Sequence, residues 1–442
     1  MKKIIVGICG AGGFAENFIP LFKAHPLVAE VRIAELRPDR RAEIARRYSL
    51  TTVYSNHTEL FASDVDAVCI FTERVKHVPY SIQALRSGKH VYSAVPAAGT
   101  LEELHDLVET VKQTGQVYMM GETSIYYPSC IYCRKQFQEG KFGKFVYGEG
   151  EYYHDMAEKY CSFYDIYQKA HGAQWRQYAG FPPMLYPTHS VAMVLSPTGA
   201  RMEKVSCFGY DDTNNEDLCW GKGRNFWDNP FSSQSALFRT SDGGMARINE
   251  FRRVGIGPGN SVRLSLFGTK AVFEEQSGES DGVISMTTHA WEKEDIKPLL
   301  ACAPASVGKT AANEEKSELS ALAISQNTKE EEAVSEAQQK LKTSHRDGFY
   351  GVSLVHEIGR LPSTFKGLHN GHYGSHQFLV DDFVKACAWG KLPPNNVWDA
   401  ARYNAPGIVA HQSSLREGEL LSIPDFGSAP VDNLLDPYAV LL

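Results

Sequence analysis

The stretch Ile5-Val-Gly-Ile-Cys-Gly10-Ala11-Gly12-Gly13-Phe14-Ala15 begins as a short apolar run and breaks into glycines before a helical pattern takes over. In that strand–turn–helix setting, a G-x-G-x-x-G/A string is the signature of a dinucleotide site. Gly10 is placed to make the tight turn, Gly12 to let the backbone approach a diphosphate, and Ala15 to let the helix pack closely on the strand. The unpaired N–H groups opening the helix, at its positive dipole end, then face the phosphates. Any surface turn can be glycine-rich, so a second signal matters. The next strand ends in Glu35, at about the offset where a carboxylate grips the ribose 2′-OH of NAD.

Working outward, strand and helix signals alternate over the first 120 or so residues, with strands predicted at 3–8, 30–35, 66–72, 89–93 and 116–120. Asp66-Ala-Val-Cys-Ile-Phe-Thr72 is continuously apolar through its middle, as a parallel strand buried on both faces must be. Thr100 with Glu103 forms a capping box, and Leu101, Leu104, Leu107, Val108 and Val111 form the apolar face of a helix that Gly115 ends. Pro20 falls inside the first helix and should kink it or sit in an early turn. Repeated β-α units of this kind predict a doubly wound parallel sheet, with its ligand at the carboxyl ends of the strands.

Past residue 123 the pattern becomes alternating and aromatic-rich, with strands predicted at 144–153, 203–210, 234–240, 244–252, 262–268 and 271–275. The expectation is an α/β chain of two domains: 1–122, a Rossmann unit, and 123–442, an α+β unit with a large open, mainly antiparallel sheet. Residues from about 290 to 345 are rich in Glu, Lys, Ala and Ser and read as an exposed insertion, partly helical at 314–342. Order returns with helices at 376–389 and near 398–414.

The 442 residues carry a net charge of −7, which argues against nucleic acid or an acidic membrane as partner. No stretch has the length of a membrane span. Met-Lys-Lys before Ile4 could imitate a signal peptide, but the apolar run is short and enters the glycine turn, so it reads as the first strand. Nine scattered cysteines fit reduced thiols in a cytoplasm. Cys130 and Cys133 are spaced C-x-x-C, yet no second pair or nearby histidine completes a zinc site, so no metal is predicted.

These pieces together resemble the Gfo/Idh/MocA family of glucose–fructose oxidoreductase and inositol dehydrogenase relatives. The resemblance rests on the glycine turn, Glu35 with Arg37, Asp64-Val-Asp-Ala-Val-Cys-Ile-Phe-Thr-Glu73 with His77 after it, and Ser87-Gly-Lys-His-Val-Tyr92. It continues through the Pro96 segment, Tyr186-Pro-Thr-His189, and the ending Ser375-His-Gln-Phe-Leu-Val-Asp-Asp-Phe383 with Trp398-Asp-Ala-Ala401. The family implies an N-terminal Rossmann domain, a C-terminal open sheet, NAD(H) or NADP(H), and sugars, polyols or glycosides as substrates. It further implies cofactor contacts at Gly10, Ala11, Gly12, Gly13, Phe14, Glu35, Arg37, Thr72, Glu73 and His77. Ala94, Val95, Pro96 and Glu122 would line the nicotinamide side. Glu35 favours NAD because a carboxylate repels a 2′-phosphate, while Arg37 and Arg40 keep NADP open. The open sheet implies a homodimer or homotetramer.

Two departures stand out. Where the family has Glu-Lys-Pro, this chain has Ala94-Val95-Pro96, and valine can neither give nor take a proton. The aspartate that often sits four residues before the catalytic histidine is Leu185. What remains is a polar and aromatic set: Trp175, Arg176, Tyr186, Thr188 and His189. His189 has the pKa of a general base, helped by Tyr186 three residues away; its alternative is a structural histidine capping the next helix. Arg176 reads as a clamp for a carboxylate or sugar hydroxyls, or as a surface ion pair. His369, His372 and His376 lie among glycines with no carboxylate between them, so a substrate-lining loop is favoured over a metal site. Tyr126 and Tyr127 read as domain-junction packing before sugar stacking.

The leading expectation is an NAD(P)-dependent oxidoreductase acting on a carbohydrate hydroxyl, with His189 and Tyr186 in the proton step and Trp175, Arg176, Thr188 and His372 on the substrate. The alternatives are cleavage of a glycoside by redox-assisted elimination with retained NAD, and a non-catalytic NAD-binding homologue.

Overall fold

Residues 3–156, 167–169, 171–212, 219–254, 260–275, 284–288, 293–303, 305–306 and 347–436 are described by a computed structural model. Its N-terminal sheet comprises β1 (Ile4–Cys9), β2 (Val28–Ala34), β3 (Val53–Tyr54), β4 (Ala67–Ile70), β5 (His90–Ser93) and β6 (Tyr118–Met120), in the order β3-β2-β1-β4-β5-β6. Every pairing is parallel. Every residue of β4 is buried, as its unbroken apolar run requires of a strand covered on both faces. The strand order reverses between β1 and β4, which opens a crevice above their carboxyl ends.

The first helical stretch is divided. Gly13–Glu16 forms α1, and Ile19–Ala24 forms α2 with Pro20 in its first turn. There the missing proline N–H is one that would have no helical partner anyway, so the chain turns instead of kinking. The helix Leu101–Thr114 is capped as its sequence specifies. Thr100 Oγ1 accepts from Glu103 N at 3.1 Å, and Gly115 closes the helix at φ 66°.

The second sheet holds β7 (Phe145–His154), β8 (Met202–Asp211), β9 (Phe231–Thr240), β10 (Met245–Phe251), β11 (Asn260–Gly268), β12 (Ala271–Glu275), β13 (Ile284–Thr288), β14 (Lys293–Asp295) and β15 (Leu421–Ser422). Their order is β14-β13-β12-β11-β7-β10-β9-β8-β15, antiparallel except where β10 runs parallel to β7. The helices Thr188–Thr198 and Val397–Ser414 cover one face. Elsewhere the sheet strands leave Val146, Phe208, Tyr210, Leu237 and Met245 exposed.

Part of the stretch expected to project is packed instead. After β14 a short helix, Lys297–Leu300, follows, and Ile296 and Leu300 are buried in the core. The helix expected at 314–342 lies outside the described residues. Cys130 and Cys133 are buried one turn apart on the helix Pro128–Gln138.

The parts of the chain that carry the two sheets meet along the helix Gly371–Trp389, whose residues 375–386 are buried all round. A helix enclosed on every side must pair its charges. Asp381 takes His25 Nε2 at 3.2 Å and Lys385 Nζ at 2.8 Å, while Asp382 takes Arg360 and the Tyr126 hydroxyl. Tyr126 is therefore part of the domain junction, and Tyr127 packs its ring on Tyr373 at 4.8 Å. The helix Val397–Ser414 also reaches the first domain, where Asn404 Oδ1 accepts from Ala97 N at 3.0 Å.

Candidate active site

At the dinucleotide turn, Gly10 has φ +88°, and a Cβ there would stand 2.7 Å from Phe71 O at the end of β4. Both the conformation and the close approach demand glycine. A Cβ on Gly12 or Gly13 would meet nothing within 4 Å. The backbone thus offers an open cradle ahead of α1, where a diphosphate fits. Phe14, in the first turn of α1, is 36% exposed. Glu35 is buried at the end of β2 and leans over the turn; its Oε2 accepts from Ala11 N at 3.0 Å, and its Oε1 from Arg37 N and Nε at 3.1 and 2.9 Å. Burial pushes this carboxyl up, but the Arg37 and Ala11 hydrogen bonds outweigh it and hold Glu35 below its ordinary value. Arg40 is committed to Ala11 O, Glu16 and Glu43.

On the nicotinamide side, His77 is enclosed, with Nδ1 2.8 Å from Pro96 O and Nε2 3.1 Å from Thr72 O. It ties the loops after β4 and β5 together. Ala94 and Val95 are half-buried at the end of β5, and the Val95–Pro96 peptide is cis. Thr72 is half-buried, while Glu73 reaches the second domain at His171 Nε2, 3.0 Å away.

Glu122 follows β6 and is fully buried. His189, in the first turn of the helix Thr188–Thr198, places Nδ1 2.7 Å from Glu122 Oε1, and Ser124 N donates to the same oxygen at 2.8 Å. Burial would drive His189 down, yet the Glu122 charge and hydrogen bond prevail, with Glu250 adding and Arg252 opposing, so its pKa rises above the usual 6.5. Burial pushes Glu122 up, and His189, Ser124 and Thr188 together hold it below its ordinary value. The result is a carboxylate–imidazole pair. With Nδ1 committed, Nε2 is the nitrogen left for proton exchange. The pair joins the end of the N-terminal sheet to the part of the chain that carries the second sheet, and Leu185 is a buried core residue.

Four further residues surround the pair that sequence reading missed. The Tyr152 ring stands edge-on to His189 at 5.3 Å, like that of Tyr186 at 5.5 Å. Tyr152 Oη lies 3.1 Å from His154 Nδ1, and burial with the nearby Arg252 and Arg74 charges lowers His154 to about 3. Glu250, raised by burial to about 7, takes Arg252 Nη2 at 2.6 Å and the Ser190 hydroxyl. The usable signal was spacing: Tyr152 and His154 are two apart on β7, which puts them on one face, and Glu250, the residue paired with Tyr152 on β10, comes two before Arg252, just past the end of that strand.

The remaining candidates fall as follows. Thr188 is buried beside Glu122. Trp175 belongs to a separate apolar cluster with Met156, Ala179, Cys219 and Trp220, and Arg176 lies over its ring at 4.6 Å. His372 lies at φ +49°, its ring 5.8 Å from Phe14 and 4.8 Å from His376. That segment therefore borders α1 and the dinucleotide turn.

Residues 4–122 match the Gfo/Idh/MocA family, described as "Oxidoreductase family, NAD-binding Rossmann fold". A "Glycosyl hydrolase family 109 protein" of Saccharopolyspora erythraea is 30% identical over 214 residues, covering 46% of this chain and 45% of that protein, so the match spans under half of the relative's length. Another protein of that name, from Streptomyces filamentosus, is 24% identical over 445 residues, covering 96% of this chain and 78% of its own. Among solved structures, "Levoglucosan dehydrogenase, complex with NADH" superposes with a TM-score of 0.68 at 17% identity, over 96% of this chain and 100% of that one, a likeness of fold. Over residues 4–122 this chain is thus similar to the NAD-binding Rossmann fold of the Gfo/Idh/MocA oxidoreductase family.

Proposed function

We propose that this protein is an NAD-dependent oxidoreductase that removes hydride from a carbinol carbon of a sugar, polyol or glycoside. The observation that carries the reading is the His189–Glu122 pair, set where β6 ends and the second domain begins. Bound NAD supplies the hydride acceptor. The residues do the rest: Gly10, Gly12 and Gly13 cradle the diphosphate, Glu35 grips the adenosine ribose, and His189 Nε2 takes the substrate hydroxyl proton while Glu122 steadies the imidazolium. Tyr186 and Tyr152 wall the reacting carbon. The test is NADH formation at 340 nm with a panel of sugars, polyols and glycosides; no response from any of them counts against net oxidation.

The glycosyl hydrolase relatives favour a second reading, in which the cofactor stays bound and oxidation of the ring acidifies a neighbouring C–H so that a glycosidic bond is eliminated. The same base and hydride transfer serve both. Glycoside cleavage without accumulating NADH, from protein that purifies with its cofactor, would select the second.

Acid–base behaviour follows from the pair. An imidazole raised above 6.5 holds its proton to higher pH, so the oxidation rate should climb with pH along a limb lying above 6.5. Glu122→Gln removes the charge, and the limb should move down. Coincident limbs in the two pH–rate profiles would detach Glu122 from the titration. Stability follows the same pair: the His189 share is complete below 6.5 and lost as pH rises through its folded value, while the Glu122 share is complete above 4.5 and lost as pH falls through its own.

The choice of NAD over NADP rests on Glu35, with Arg40 already engaged and Arg37 beside it. Glu35→Ser should raise the NADP-to-NAD preference by about tenfold or more, since charge-assisted hydrogen bonds contribute about 1.5–3 kcal/mol. Titrations of wild type and Glu35→Ser with NAD and NADP would show it, and an unchanged ratio would move the ribose elsewhere. The open sheet face suits a homodimer or homotetramer, and the free thiols among the described cysteines suit a reducing cytoplasm. No described helix is long and apolar enough to cross a membrane.

A further inference from the structure

A row of aromatic rings leads away from His189 to the surface. Arg74, in the loop after β4, holds its guanidinium carbon 4.8 Å from the ring of Tyr186 and 4.8 Å from that of Phe181. Phe181 meets Trp227 edge-on at 4.8 Å, Trp227 lies 6.3 Å from Phe226, and Phe226 meets Tyr178 edge-on at 4.7 Å. Phe226 is 58% exposed, while Tyr178, Phe181 and Trp227 are half-buried.

The loop that presents Phe226 and Trp227 is built to hold still. Asn225 and Asn229 are both buried beneath it. Asn225 Nδ2 donates to Cys219 O and Asn229 O, and its Oδ1 accepts from Trp227 N and Asn229 N. Asn229 Nδ2 donates to Gly180 O and Phe231 O, and its Oδ1 accepts from Phe231 N. Phe226 N is fixed on Gln177 O at 3.1 Å. Seven side-chain hydrogen bonds from two buried amides thus hold a large apolar ring out in water.

We propose that Phe226, with Trp227 and Tyr178, forms a stacking platform for a second sugar ring of a glycoside whose first ring sits at His189. The proposal rests on the reading of His189 as the carbohydrate site and extends it to the substrate class: a glycoside with at least two rings. Pyranoses present apolar C–H faces to aromatic rings and hydroxyls at their rims, so an exposed ring beside half-buried ones fits this occupant. A platform already rigid when free loses little order on binding. The arginine-bridged run to Tyr186 makes it continuous with the candidate active site.

The experiment uses the NAD-loaded protein and an array of mono- and disaccharides in gluco, galacto, manno and N-acetylamino forms, followed by calorimetry on the best disaccharide and its methyl monosaccharide. The wild type should bind the disaccharide about tenfold more tightly. Phe226→Ala should abolish that preference and leave monosaccharide binding unchanged, whereas Phe226→Tyr should keep it. Equal disaccharide affinity in wild type and Phe226→Ala overturns the proposal. So does an array with no disaccharide preference, or a Phe226→Ala variant whose only change is a smaller oligomer, which would make the patch a subunit contact. Binding needs no turnover: Phe226-dependent affinity without hydride transfer would sink the oxidoreductase reading alone, and turnover on monosaccharides without the affinity would sink the platform alone.

Discussion

Replacing His189 with alanine is expected to slow hydride exchange between NAD and its carbohydrate by about 10²–10⁴-fold, the range a positioned general base contributes. NAD affinity should hold, because His189 stands apart from the glycine turn and its imidazole is bonded to Glu122. The substitution also leaves the buried Glu122 without its imidazole partner, with Ser124 N still donating to it, so some loss of stability should accompany it. His189→Gln separates the two effects, since an amide can donate to Glu122 but cannot act as a base near neutrality. Stability should recover in the glutamine variant while the rate stays low. A variant of either kind with the wild-type rate would remove His189 from the chemistry and leave it as a structural histidine of the Thr188–Thr198 helix.

Gly10→Ala is expected to abolish cofactor binding and to destabilise the first domain. The residue sits at φ +88°, where a side chain costs about 1–2 kcal/mol. The new methyl would also press on Phe71 O from 2.7 Å, and that oxygen belongs to backbone that can move only by shifting the end of β4. The turn would have to open, which carries Ala11 N away from Glu35 and spoils the cradle before α1. Gly12→Ala, where a methyl meets no protein atom within 4 Å, is the control. It should fold like wild type and lose NAD affinity alone, because the space it fills is the ligand's. Thermal melts and NAD titrations on the two variants distinguish the outcomes. Gly12→Ala binding NAD as tightly as wild type would place the diphosphate elsewhere.

Why some of this could be read from residues and some could not is a matter of range. The parallel sheet was legible because each β-α unit carries its own local signals: a buried strand such as Ala67–Ile70, a cap such as Thr100, a stop such as Gly115. Val53–Tyr54 was too short to show a period, β14 and β15 are short edge pieces fixed by their neighbours, and β13 is paired between β12 and β14. Pro20 signalled a break without saying which helix it would open. In the site, His189 was legible from a short motif, but its partner lies 67 residues away and only the domain junction brings the two together. The absence of an acid at 185 read as a missing group; in the fold, the carboxylate bonded to His189 is that of Glu122. Tyr152, His154, Glu250 and Arg252 escaped notice because strand residues two apart look like ordinary sheet alternation until the facing helix is placed. Trp175 shows the opposite error. An aromatic beside an arginine suggested a sugar contact, while the structure buries it in a small apolar cluster.

The most direct test of the central claim is isotope transfer. Purified protein with NAD would be incubated with carbon-deuterated sugars, polyols and glycosides, and the recovered nicotinamide examined by mass spectrometry. With the reaction quenched during the first turnover, before a stereospecific return could carry the label back, deuterium at the nicotinamide ring with at least one carbohydrate, lost in His189→Ala, is the expected result whether the hydride would be released as product or returned. Fully bound NAD that acquires no deuterium from any of them would contradict it.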